Sequence, residues 1–375
     1  GVSCMTIPYI MTITQTEIFK LTIPMEPFVI ATETCYYTQN IFIRIHTDSG
    51  LVGMGECSAF PLLVGETQNT CFEVAKDFAR MLKGKDPLDI PARMKELNTY
   101  IAFNTTIKSA FDIAFHDLKA KAAGVPLFKI LGGRKKTIQT DLTIGIDTPE
   151  SMEETAREFI RNGVKIIKVK LGKNGDEDVE RVRLIRDAVG PEIGLRVDAN
   201  QGWEYEEAIR TLNAIAPYDI QFCEQPIHHD FDQLLPELRK RSAVKIMADE
   251  SVFNHHDAER LIQAGAVDYI NIKLAKSAGI LGGLAIAETA AKYGIPCMLG
   301  GMVESRLALT AKVHMAMSHD NIHFYDLDTC LLGQLEDPVT GGAVYTNYFL
   351  DVPDGAGLDA DIQATFLETC ESVII

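Results

Sequence analysis

The sequence predicts an α/β protein built on a closed eight-stranded β/α barrel, preceded by a smaller α+β region. Three observations carry that reading. Short apolar runs of strand length recur about every 25 residues from position 140 onward, and amphipathic stretches of helical period fill the gaps between them. No Gly-x-Gly-x-x-Gly opens a helix behind a strand, and Gly53-Met54-Gly55-Glu56 is only a fragment of one. A closed barrel therefore fits better than an open dinucleotide-binding sheet.

Within residues 7–56, segments 12–23 and 40–46 alternate apolar and polar, and Asp48-Ser49-Gly50 turns the chain into 51–56. These form an antiparallel three-stranded meander. The connection 24–38 is longer than a hairpin needs, a length that suits a lid. Segments 67–82, 90–100 and 106–123 take helical spacing, and Gly124 then Pro126 stop the last of them. The pattern changes at Leu131-Gly132-Gly133, where the domain boundary is placed. Barrel strands fall at 140–145, 166–171, 194–197, 220–223, 244–248, 269–272, 297–299 and 324–325, with helices at 150–162, 177–189, 204–216 and 257–264. After the eighth strand no further βα unit is visible, so the segment from 337 onward returns to pack on the N-terminal region.

Composition narrows the function classes. Of 375 residues 46% are hydrophobic and 23% charged, close to the average for a globular protein and far from the regime of disorder. With 36 Lys plus Arg against 52 Asp plus Glu, the net charge of −16 repels nucleic acid and anionic membrane surfaces. The longest apolar stretches, such as 279–291, contain Gly and Glu and are too short to span a bilayer. Residues 1–19 show no basic segment leading into an apolar one, so the cytoplasm is the expected location. The eight cysteines form no Cys-x-x-Cys and read as structural thiols.

In a β/α barrel the C-terminal ends of the strands share one mouth. Strand two ends in Lys168-Val169-Lys170, strand three supplies Asp198, strand four Glu224, strand five Asp249 and strand six Lys273. A lone Lys-x-Lys is common on solvated strands, and a lone strand-end carboxylate more often caps a helix. Here Lys170, Asp198, Glu224, Asp249 and Lys273 follow one another at spacings of 28, 26, 25 and 24 residues, which a solvated surface does not explain. Three carboxylates so close repel unless neutralised, and three oxygen donors suit a hard divalent ion such as Mg²⁺. The lysines lie across the mouth from each other and give two bases facing one substrate. A lysine starts near a pKa of about 10.4, and Lys168 beside Lys170, together with the ion, would bring Lys170 down. The ion would also stabilise the enediolate left when a proton leaves the carbon α to a carboxylate. Asn200, Gln225 and Glu250 stand beside these groups as supports.

On these motifs the sequence resembles the enolase superfamily, in its muconate-lactonizing-enzyme-like subgroup. The likeness extends to a Gly-x-Gly-Glu turn at 53–56 and to Asp117-Leu118-Lys119, Gly124-Val125-Pro126-Leu127-Phe128 and Leu131-Gly132-Gly133, and so covers essentially the whole chain. It implies a modified (β/α)7β TIM-like barrel at 133–340. An α+β capping domain at 1–132, with specificity loops at 24–38 and 53–60, would be completed by a returning segment at 341–375. It further implies Mg²⁺ on Asp198, Glu224 and Asp249, acid/base catalysis by Lys170 and Lys273 on opposite faces, and assistance from Lys168. Strand eight ends Tyr325-Asp326-Leu327-Asp328, and an Asp-x-Asp here looks like the dipeptide epimerases, where it receives the substrate's ammonium group. In members acting on Ala-Glu an Arg of the long N-terminal loop meets the acidic side chain, and aligning Pro27-Phe28 puts Glu33 at that position. Glu33 would repel an acidic side chain, which favours small neutral dipeptides such as Ala-Ala. Met302, Val303 and Glu304 after strand seven join the expected substrate pocket.

The resemblance also implies a homo-oligomer and a place in peptidoglycan peptide recycling or peptide degradation. The competing activities are Ala-Glu epimerisation, N-acylamino-acid racemisation and o-succinylbenzoate synthesis, the last two having no use for Asp326 and Asp328. From a different class comes a non-catalytic metal and peptide binding protein. His228-His229 and His255-His256 read as exposed loop histidines, and Trp203, the sole tryptophan, as packing for a βα loop.

Overall fold

The computed structural model describes residues 10–375, so the start of the expected meander at 7–9 and Cys4 lie outside the described residues. An antiparallel sheet of four strands comes first: Ser372–Ile374, Ile13–Leu21, Asn40–Thr47 and Val52–Ser58, in that spatial order. Three of them are the meander read from alternation, and the fourth is the chain's own C-terminus, paired to the first through Glu17 and Ile374. The 24–38 connection is itself a hairpin, Pro24–Val29 against Thr34–Tyr37.

Helices Gln68–Leu82, Ile90–Tyr100 and Thr105–Ala123 cover one face of this sheet. The expected Gly-x-Gly-Glu turn is instead strand Val52–Ser58. Its glycines serve close packing, since a Cβ at Gly53 or Gly55 would run into the carbonyl oxygens of Ala114 and Ala110 on helix Thr105–Ala123.

The barrel strands, one to eight, are Leu142–Ile144, Ile166–Lys170, Gly194–Asp198, Ile220–Glu224, Ile246–Ala248, Tyr269–Ile272, Cys297–Gly300 and Ile322–Asp326, all parallel and in sequential order. The ring closes where Asp141 N–H donates to the Tyr325 carbonyl (3.2 Å) and Leu327 N–H to Thr140 Oγ1 (3.0 Å). Helices follow the first seven strands, at Pro149–Arg161, Gly175–Val189, Tyr205–Ile215, Leu235–Arg241, His255–Gln263, Ile280–Lys292 and Arg306–Ala316. The last was not visible as an amphipathic period because Leu307 through Ala316 are all buried, under the capping sheet as well as against the barrel. The eighth strand is followed only by a short 3-10 turn, Thr329–Leu331, which completes the (β/α)7β pattern.

The barrel interior is filled at its N-terminal end by Phe222, Met247 and Met298 with Tyr269 and Phe324, leaving the C-terminal mouth open beneath the capping domain. Buried carboxylates tie the two bodies together. Glu56 of the sheet accepts from Ser305 N–H (2.9 Å) and Ala308 N–H (3.0 Å) at the start of helix Arg306–Ala316. Asp112 likewise receives the Ile280 N–H that opens helix Ile280–Lys292. Negative charge at helix N-termini is favoured by the unpaired N–H groups there.

Candidate active site

Each strand end delivers its polar residue to the mouth because strand side chains alternate and the last inward position faces the opening. Asp198, Glu224 and Asp249, on strands three and four and just past strand five, are fully buried and present oxygen atoms within 4.8 Å of one another. Each is held from behind. Asp198 Oδ1 accepts from Asn200 N–H (2.9 Å), and Glu224 Oε1 from Asn271 Nδ2 (2.7 Å). Gln225 Oε1 accepts from the N–H groups of Asp249 (2.9 Å) and Ser251 (3.2 Å), fixing the loop after strand five.

Four lysines meet this trio, the fourth being Lys276, whose Nζ lies 2.7 Å from Asp249 Oδ1. Lys170 Nζ donates to Asp198 Oδ2 (2.8 Å) and Asn200 Oδ1 (2.9 Å). Lys273 Nζ donates to Asp249 Oδ2 (2.7 Å) from strand six, on the far side of the ring. Lys168 Nζ reaches Glu224 Oε2 (3.0 Å) and Asp326 Oδ2 (2.6 Å), bridging the trio to strand eight.

The electrostatics follow from burial and charge. Burial, then Asp198, pushes the Glu224 carboxyl up to about 7: three carboxylates in a dry site resist full ionisation. Burial works against the Lys168 ammonium, but Asp326, Glu224 and Asp198 outweigh it and hold Lys168 well above the ordinary lysine range. Lys273 is also held up, by Asp249 and Glu224 against its burial. Burial, then Asp249 and Asp198, raises Glu250 well above its usual value.

Asp326 and Asp328 stand a few ångströms away with Asp141, one oxygen of each lying within 4.8 Å of the others, all buried. Thr143 Oγ1 donates to Asp328 Oδ2 (2.7 Å). Burial and Asp326 push Asp328 up to about 8, while Lys168 holds Asp326 below the carboxylate range in spite of its burial.

One cavity of about 360 Å³ joins these groups. Lys168, Lys170, Lys273, Asn200, Glu250, Asp326 and Asp328 floor it, and Met302 and Val303 stand in its wall. Met25, Phe28 and Ile30 of the N-terminal hairpin, with Phe60, Leu62 and Leu63, form an apolar roof. Two expected lining residues lie elsewhere. Glu304 is 3% exposed and paired with Lys312 of helix Arg306–Ala316, which turns its carboxylate away from the cavity. Glu33 sits in the hairpin turn closed by Ile30 N–H on its carbonyl (3.0 Å) and borders a smaller neighbouring pocket with Tyr36 and Tyr37. His228, read as an exposed loop residue, lines the cavity. Trp203 is buried, its Nε1 donating to Asp178 Oδ2 (2.8 Å), and Asp178 also receives Gly172 N–H in the loop behind Lys170.

Sequence reading missed Asp141, Thr143, Asn271 and Lys276. The last donates to the carbonyls of Asp249 (2.7 Å) and Asn271 (3.0 Å). For Asp141 and Thr143 the available signal was Asp141-Leu142-Thr143, two polar residues flanking an apolar one where strand one begins.

Residues 151–365 match the family described as "Enolase C-terminal domain-like", and residues 13–132 the one described as "Mandelate racemase / muconate lactonizing enzyme, N-terminal domain". The chain is 45% identical to the D-Ala-D/L-Ala epimerase of Cytophaga hutchinsonii, over 97% of this chain and 100% of that protein. It is 38% identical to the L-Ala-D/L-Glu epimerase of Clostridium acetobutylicum, over 93% of this chain and 98% of that one. Among solved structures, the dipeptide epimerase from Cytophaga hutchinsonii complexed with Mg and the dipeptide D-Ala-L-Val is similar at a TM-score of 0.95 and 45% identity. The match covers 97% of this chain and 100% of the other.

Proposed function

The chain belongs to the mandelate racemase / muconate lactonizing enzyme family of enolase-like proteins, and from that premise we propose that it is a Mg²⁺-dependent epimerase of neutral dipeptides such as Ala-Ala. The observation that carries this reading is a single cavity lined by two lysines on opposite barrel strands and by an acidic pair, with three clustered carboxylates buried directly behind the lysines that bond to them.

Asp198, Glu224 and Asp249 would hold the ion. They are oxygen donors only, fully buried, clustered, and positioned by Asn200, Asn271 and Gln225, a donor set that suits a hard divalent cation. When bound, Mg²⁺ supplies the positive charge that stabilises the substrate carboxylate as negative charge spreads into it. Lys170 and Lys273 flank the α-carbon from two sides; whichever lysine is neutral takes the α-proton, and the other, as ammonium, delivers one to the opposite face. Configuration inverts and the proton count is unchanged. Lys168, kept charged by its three carboxylates, fixes Glu224 and Asp326 in place. Asp326 and Asp328 receive the substrate's terminal ammonium, a role that an N-acylated amino acid, having no ammonium there, would leave unfilled.

The roof supports a neutral second residue. Its walls are Met25, Phe28, Ile30, Phe60, Leu62 and Leu63, which offer no counter-charge to a glutamate side chain. The bound D-Ala-L-Val of the Cytophaga relative is of this chemical class. Glu33 lies outside the cavity walls, so the exclusion of Ala-Glu rests on the apolar roof.

The test is inversion, read by chiral chromatography, over a panel of Ala-Ala, Ala-Val, Ala-Glu, Ala-Lys and N-acyl amino acids with Mg²⁺ present. Ala-Ala and Ala-Val are expected to epimerise and Ala-Glu to be poor. Turnover confined to N-acyl amino acids would remove the ammonium role of Asp326 and Asp328.

A further inference from the structure

Asp141 immediately precedes barrel strand one, and its carboxyl group is fully buried beside Asp326 and Asp328. Its Oδ2 accepts from Arg196 Nη1 (3.1 Å), but its Oδ1 has no hydrogen-bond partner among the described residues. Asp326 shows the same imbalance: Oδ2 takes Lys168 Nζ, and the buried Oδ1 has no partner. The two carboxyls bring oxygens within 4.8 Å of each other, and two buried acceptors that close, neither with a donor, are satisfied together if one of them carries a proton.

The surrounding cations make their hydrogen bonds to other acceptors, and none bonds to either free oxygen. Arg196 is clamped between the rings of Phe222 (5.3 Å) and Phe324 (5.4 Å), with Nε on Gln221 Oε1 (2.8 Å) and Nη1 also on the Tyr325 carbonyl (3.3 Å). Lys168 faces the pair from strand two and is spent on Asp326 Oδ2 and Glu224. From strand one, Thr143 gives its hydroxyl to Asp328.

We propose that Asp141 is a neutral carboxylic acid that donates its Oδ1 hydrogen to Asp326 Oδ1, making it the positioning residue for the carboxylate that meets the substrate's ammonium. Asp141 then uses both oxygens, Oδ2 as acceptor from Arg196 and Oδ1–H as donor to Asp326. Asp326 stays ionised, held from one side by Lys168 and from the other by Asp141. The direction of ionisation agrees: burial, then Asp326 and Asp328, drives the Asp141 carboxyl well above its usual value, while Asp326 is held low. The assignment rests on the dipeptide reading only in naming what Asp326 binds.

The arrangement distinguishes two variants. In Asp141→Asn the amide oxygen can accept from Arg196 and the NH₂ can donate to Asp326, reproducing the neutral acid. Asp141→Leu removes both bonds. Asp141→Asn is therefore expected to keep kcat and KM for Ala-Ala within a few-fold of wild type. Asp141→Leu is expected to raise KM about tenfold or more, with a much smaller change in kcat. If Asp141 were instead an ionised salt partner of Arg196, Asn would be as damaging as Leu, and that result would overturn the proposal. Infrared spectra at neutral pH, with isotope-labelled aspartate, give a readout that needs neither substrate nor the Leu variant to fold. Asp328 also holds a proton near neutral pH, so the expected result is that the protonated aspartic acid absorption of wild type loses one carboxyl's intensity in Asp141→Asn. A protonated absorption unchanged by that substitution, or absent from wild type, would equally overturn the assignment. Because the band is read without substrate, a missing epimerase activity and a missing proton are separate results.

Discussion

Lys170 and Lys273 illustrate how much a strand end reveals. Each terminates or directly follows an apolar strand, so a charged side chain there is either wasted or used, and its partners recur at the spacing of the barrel repeat. Asn271 and Asp141 were not legible for the opposite reason. Their meaning lies in which neighbouring oxygen lacks a donor, and that depends on side-chain direction within the ring. Glu304 misled because its position after strand seven points to the mouth, whereas the buried Lys312 on the next helix draws it aside. The two-lysine mechanism makes a sharp residue-level prediction. Lys170→Met and Lys273→Met should each cut inversion by about 10³-fold. Each should still exchange the α-proton of only one epimer with solvent, a different epimer for each variant, because the remaining lysine removes and returns a proton on its own face. Equal loss of exchange with both epimers in either variant, measured by NMR in D₂O, would contradict the assignment of one lysine to each face.

Helix Arg306–Ala316 shows where pattern reading ends at the level of elements. Amphipathic helices such as Pro149–Arg161 and Tyr205–Ile215 declared themselves by an apolar stripe, but a helix buried on every side has none. Its His314 carries a measurable consequence. The ring is fully buried, stacks on Phe128 (5.7 Å between centroids), and accepts the Phe128 N–H on Nδ1 (3.0 Å). Burial, aided by Lys135, lowers its pKa to about 3 from 6.5. A neutral imidazole in the fold and a protonatable one in the unfolded chain mean that this contribution is complete above about pH 6.5 and is lost as pH falls toward the folded pKa. Between pH 7 and pH 5 wild type should lose about 2 kcal/mol more unfolding free energy than His314→Gln. Parallel losses in urea denaturation of the two proteins would show that His314 is not titrating differently in the two states.

At the scale of the whole molecule, the capping sheet and the barrel act as one body. Glu56 and Asp112 cross from the capping domain to barrel helices, and Asp117 Oδ1 accepts the Leu358 N–H of the returning C-terminal segment (2.7 Å). The cavity therefore has a fixed charged floor, while the hairpin Pro24–Val29/Thr34–Tyr37 supplies much of its apolar roof. The barrel and its partner domain were legible because repeat length and alternation survive in sequence. The closing strand at 372–374 was not, since three residues carry no period. The net charge of −16 leaves an acidic exterior around a floor where lysines and carboxylates balance, which suits a zwitterionic peptide better than a polyanion. The central claim, that this floor moves an α-proton of a dipeptide, is tested most directly by proton NMR of L-Ala-L-Ala in D₂O with the protein and Mg²⁺. The account predicts that the α-proton signal next to the carboxylate disappears as the diastereomer grows in, with the other α-proton untouched. Saturable binding of the dipeptide without any exchange at that carbon would contradict it and leave a binding protein on an epimerase scaffold.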